Sequence, residues 1–148
     1  MNGNKFRMAT LLRLRENTRD ERRMELADAQ RAESLLRRQL DGVNAELMEL
    51  REMARRAAGL GSVEIERLVE AGRYQRTLET RRSAMQEQLA THAAEIDRRR
   101  ELLLTADREV RVLEKLRETQ DARRRQAESR REIKQLDEAT QLRVAVGN

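Results

Sequence analysis

Stepping from Leu26 by alternating three and four residues lands on Ala29, Glu33, Leu36, Leu40, Val43, Leu47, Leu50, Ala54 and Ala57, a stripe in which Glu33 alone is polar. Apolar positions at that interval lie along one side of an α-helix and form the seam of a coiled coil. The same stepping from Leu68 gives Ala71, Gln75, Leu78, Arg82, Met85, Leu89, His92, Ile96, Arg99, Leu103, Ala106, Val110 and Leu113. This second stripe is longer and more polar. Between the two, residues 55–66 read RRAAGLGSVEIE and place Gly59 and Gly61 together in a chain without proline. Gly59 suits the left-handed residue that ends a helix, Gly61 loosens a reversal, and Ser62 can accept a backbone N–H at the start of the next helix. The pattern predicts an all-α fold, with two long helices forming an antiparallel coiled-coil hairpin as a single domain over residues 1–148. Helix one is expected over about residues 4–58, the turn at about 59–62, and the longer helix two over about 63–143. Gly72 can kink the start of helix two, which would extend the tip as far as residue 72.

Neither stripe is stable alone in water, so the two bury each other and bring both termini to one pole. Leu12 is then expected close to Ala106 and Val110. Acid-first pairs four residues apart, Glu52 with Arg56, Glu95 with Arg99, Asp107 with Arg111 and Asp121 with Arg125, add small increments of helix stability. Helix two exceeds its partner by roughly 25 residues, on the order of 40 Å of unmatched helix. Its seam positions after Leu113 become Arg117, Gln120, Arg124, Ala127 and Arg131, with no apolar stripe to pair for two turns or more, and Ile133, Leu136, Ala139 and Leu142 then resume an apolar face. Such a tail is either a second docking site or a frayed end.

Composition agrees with a stripe and not with a compact core. Of 148 residues, 40% are charged and 1% aromatic, and the signs nearly cancel at a net +5, which argues against disorder. No cysteine is present, so neither disulfides nor thiolate chemistry is open to the chain. The first apolar cluster is interrupted by arginines, unlike a secretory leader, and no stretch approaches the roughly 20 apolar residues of a membrane span. A soluble chain is expected, with any membrane location supplied by a partner.

Candidate chemistry is sparse. Phosphate-cradling, nucleophile-elbow and zinc-protease motifs are missing from the sequence, and a two-helix seam offers no enclosed pocket, so neither an enzyme nor a cofactor or metal site is expected. His92, the sole histidine, sits on the seam as a partly buried polar residue. Arg82 and Arg99 lie there too, with stems packed and heads reaching water. The runs Arg98 to Arg100 and Arg123 to Arg125 suggest nucleic acid, but acids are interleaved with them and Phe6 and Tyr74 are the only aromatics. Nucleic acid is therefore not the favoured partner. Tyr74, beside the seam and near Leu78 and Met85, is either a partner hot spot or a residue that closes the tip.

Three segments carry a resemblance when taken together: RYQRTLETRR, REVRVLEKLRETQ and REIKQLDEATQLR. With the element F-x-x-x-x-L-L-x-L-R from Phe6 to Arg15, the Tyr74 to Leu78-Glu79 spacing, and L-D-E-A-x-x-x-R from Leu136 to Arg143, the chain resembles the FliJ family over nearly its whole length. More distantly it is similar to the stalk proteins of virulence secretion systems. The resemblance implies a non-enzymatic stalk of the flagellar type III export apparatus, cytoplasmic and peripheral at the inner face of the membrane at the flagellar base. Its implied partners are the export ATPase ring, the membrane export gate and export chaperones. Tyr74 and Leu78 are implied as the gate contact, to which the apolar pattern adds the neighbouring Met85, and the overhang is implied to enter the ATPase ring, where its apolar residues Ile133, Leu136 and Leu142 are the expected contact. The resemblance supplies no matching first-helix residues for the gate patch. The reading from another class is a structural or nucleic-acid-associated coiled coil unrelated to secretion.

Overall fold

The computed structural model describes residues 2–59 and 65–147, with side chains from Met8 to Ala58 and from Ile65 to Gly147. Helix α1 spans Asn2–Gly59 and helix α2 spans Ile65–Val146, 58 and 82 residues long. They pack as an antiparallel hairpin whose second helix is the longer, and no strand occurs among the described residues. The ends fall within a turn of those set by the apolar period. The roles given to Gly61 and Ser62 lie outside the described residues. One expectation is corrected: α2 runs unbroken through Gly72, so the tip does not reach it. A lone helical glycine costs only about 1 kcal/mol relative to alanine. That is too little to break a helix held on either side by the half-buried Ala71 and Gln75.

The hairpin comprises two compact units, Glu21–Leu103 and Met1–Asp20 with Leu104–Asn148. In the first, α1 buries Ala29, Leu36, Val43 and Leu47, and α2 buries Leu78 and Ile96. Val43, Leu47 and Leu78 form its densest cluster, against which Leu50 and Met85 pack. The remaining seam positions of this unit, including Glu33, Gln75, Arg82, His92 and Arg99, are half-buried, apart from Leu68, which is 42% exposed. The predicted stripe is the buried stripe. No polar side chain is fully buried among the described residues, because the long polar members of the seam pack their stems and keep their heads in water.

Arg99 shows how a polar seam residue ties the two helices. Its Nη1 donates to the main-chain carbonyl of Glu25 on α1, and its Nε donates to Glu95 Oε1 at 2.8 Å. Arg98 donates to the same carboxylate at 3.0 and 2.7 Å. Hydrogen bonds from Arg98 first and Arg99 second favour the charged form and hold the Glu95 carboxyl down at about 2.

In the second unit Leu12 of α1 is buried with Ala106 and Val110 of α2, as the antiparallel register requires. Arg15 Nη1 meets Glu109 Oε2 at 3.1 Å across the helix pair. Both side chains are over two-fifths exposed, so this ion pair marks register more than it adds stability. Beyond Leu113 every described residue of α2 is exposed except Asp121, which accepts from Arg124 Nη2 at 3.1 Å, one residue short of the Arg125 expected from spacing. The helix closes with the Gly147 N–H donating to the Arg143 carbonyl at 2.9 Å.

Candidate docking surfaces

Tyr74 stands one position before the seam residue Gln75, and Glu46 one position before the buried Leu47. Burial of Leu47 and Leu78 in one cluster therefore brings these two flanking residues together at the edge of the helix pair. The Tyr74 hydroxyl donates to Glu46 Oε2 at 2.8 Å, while the residue remains 50% exposed. The hydrogen bond to Glu46 is the main cause of a raised phenol pKa, the charge of Glu46 adds to it, and the nearby Arg81 opposes it. Ionising the phenol would put two anions side by side. Because the neutral phenol is the favoured form, the bond is present below the ordinary tyrosine range and is lost as pH rises through the raised value.

Tyr74 is the sole tyrosine and the chain has no tryptophan, so phenolate absorbance reports this residue alone. Its midpoint is expected above 10.0, falling when Glu46→Gln removes the carboxylate charge. A midpoint that ignores Glu46→Gln means the contact does not form in solution.

Leu78 and Met85 sit differently. Leu78 is 0% exposed, and Met85 is half-buried against the same cluster. Both belong to the packed seam, and Tyr74 is the most exposed of the three. Glu46 went unnoticed in the sequence because a seven-residue repeat does not set the offset between two helices.

At the other candidate surface, Ile133, Leu136 and Leu142 are each more than half exposed on α2 beyond the reach of α1. Leu136 and Leu142 lie roughly 120° apart around the helix, at about 100° per residue. The apolar surface is thus broad, and a partner that covers all of it must enclose the helix on more than one side.

A family model described as the flagellar FliJ protein matches residues 4–148. The chain belongs to the FliJ family. Searches among curated proteins and among solved structures find no match. Membership makes the chain a component connected with flagellar protein export, in a family of structural or coupling proteins.

In this FliJ-family chain the arginine runs are largely matched by local acids. Arg98 and Arg99 share Glu95, Arg100 meets Asp97 at 3.6 Å, and Arg124 meets Asp121. Pairing of this kind leaves few cations for a phosphate backbone. No group of His, Asp and Glu among the described residues is arranged to hold a metal, and no helix of the described residues is long and apolar enough to cross a membrane.

Proposed function

We propose that this chain is a non-enzymatic stalk of the flagellar type III export apparatus, coupling the export ATPase to the membrane export gate and to export chaperones. The observation that carries the reading is the tail of α2, helical to Val146 yet exposed, with Ile133, Leu136 and Leu142 uncovered on several sides. A ring that encloses a helix suits such a surface better than a single flanking helix does. The gate docks at Tyr74, on the helix that also carries the seam residues Leu78 and Met85. Work is mechanical: a stiff helix pair conveys conformational change between a nucleotide-hydrolysing ring and the gate, and makes or breaks no bonds itself. The chain acts in the cytoplasm at the inner face of the membrane at the flagellar base, held there by its partners.

The test is the turnover of the cognate export ATPase. The chain alone is expected to be inert toward ATP, and adding it to the ATPase is expected to raise turnover and ring assembly. An unchanged rate at saturating chain overturns the assignment.

A further inference from the structure

We propose that the tail of α2 pairs antiparallel with the tail of a second copy of the chain, along an uncharged stripe from Thr119 to Thr140. The pairing stands apart from the export reading; its consequence for the ATPase rests on that reading. Half the residues between Thr119 and Thr140 are charged. Stepping by three and four from Thr119 nevertheless gives Ala122, Gln126, Ser129, Ile133, Leu136 and Thr140, without a charge. Every other frame of the same period meets two or more charged residues over this stretch. A seven-residue repeat kept free of charge marks a face that meets another helix. That helix is not α1. Thr119 stands two residues on from Arg117, where the hairpin seam continues, so at about 100° per residue the stripe lies roughly 160° from the side that α1 covers. Met8 and Ala9 of α1 line a small cleft with Arg117, Gln120 and Asp121, whereas every residue of the stripe is exposed.

The stripe fits its own reverse. With Gln126 of one copy opposite Ser129 of the other, an antiparallel pair sets Leu136 against Thr119 and Ile133 against Ala122, large beside small, each contact occurring twice by symmetry. A parallel pair would stack Ala122 on Ala122 and Leu136 on Leu136, leaving space at one level and crowding at another. Thr119 Oγ1 donates to the Lys115 carbonyl at 2.9 Å and Thr140 Oγ1 to the Leu136 carbonyl at 2.8 Å, so both threonines can be covered with no donor left unmet. Gln126 and Ser129 can hydrogen-bond across the pair and so fix its register. On one flank Arg125 comes beside Glu132 in both halves; on the other, Arg123 comes beside Arg130, and that repulsion opposes the pairing. The tails overlap from Glu109 to Val146, about 57 Å, and a strip of that length one helix diameter wide is on the order of 1,200 Å² for both copies, the lower limit of a stable interface. Small side chains and a polar centre keep the pair weak and reversible. Pairing covers Ile133 and Leu136, the residues read as part of the ATPase contact, so a paired chain is withheld from the ATPase.

Sedimentation equilibrium of the full chain is expected to show monomers joining into dimers as concentration rises to about 100 μM. Ala122→Glu with Ser129→Glu is expected to weaken the dimer about tenfold or more and leave helicity unchanged, against less than about threefold for the same charge change on the far side of the helix, Ala127→Glu with Gln135→Glu. Arg130→Glu, which puts opposite charges on the repelling flank, is expected to tighten it about threefold or more. A chain that stays monomeric throughout, or equal losses for the two acidic variants, overturns the proposal. The chain has no cysteine of its own, so disulfides read the arrangement. An equal mixture of Thr119→Cys and Leu136→Cys chains should form the mixed disulfide; like pairs alone mean a parallel dimer and overturn the antiparallel one. The linked dimer is expected to lose ATPase stimulation and regain it on reduction. If it still stimulates while linked, the pairing stands and the tail is not the ATPase contact; if the chain stimulates the ATPase but never pairs, the export reading stands and the pairing falls.

Discussion

Arginine in place of both Leu136 and Leu142 is expected to leave the helicity and melting of the free chain unchanged while weakening its action on the export ATPase about thirtyfold or more. Both side chains are about two-thirds exposed in the free chain, so their replacement removes no internal packing. In a complex that encloses the tail they become buried, and two charges there displace apolar contacts worth about 2 kcal/mol or more at a hot spot. Tyr74→Ala should do the reverse, sparing ATPase stimulation while reducing gate binding. The measurements are the concentration of chain giving half-maximal ATPase turnover and capture of a gate fragment by each variant. Loss of both partners in both variants, with the chain still folded, means one continuous binding surface in place of two.

Leu47→Ala combined with Leu78→Ala is expected to melt the Glu21–Leu103 unit well below the temperature at which the unaltered chain melts. These side chains are 2% and 0% exposed and belong to one cluster. Each truncation of a buried leucine costs about 2–5 kcal/mol. Because the two belong to one packed cluster with Val43, their costs are not expected to add. The loss still falls on a seam with few fully buried side chains. Circular dichroism on heating, with Leu136→Ala as an exposed comparison, reads the effect. Similar melting for the core and exposed variants would show that the seam is not what holds the hairpin.

The seam was legible because a seven-residue apolar repeat is a property of one helix at a time. From Leu26 to Ala57, every position reached by the stepping is buried or half-buried. The start of α1 was harder to read. Stepping back from Leu26 gives Arg22, Arg19 and Arg15 before Leu12 and Met8, and three arginines in succession do not look like a seam. All three are half-buried, because a guanidinium can reach water while its stem packs. Leu78 had two readings, contact residue by resemblance and core residue by period, and its complete burial gives it to the core. Glu46 needed the offset between helices, which the repeat does not carry. The exposure of Ile133, Leu136 and Leu142 followed from length alone, since α1 has no residues left to cover them.

The uncovered tail of α2 also has a thermodynamic consequence. An amide there is protected only by its own carbonyl partner a turn earlier, so local opening costs little and hydrogen exchange is expected to be fast compared with that near Leu47. A partner that requires the tail as a straight helix must supply whatever order the free tail lacks, and the affinity it displays is the contact energy less that ordering cost. The helix-forming strength of residues such as Ser129 and Thr140 then enters the binding constant directly. Recognition of the tail is set in part by side chains that need never touch the protein recognising it.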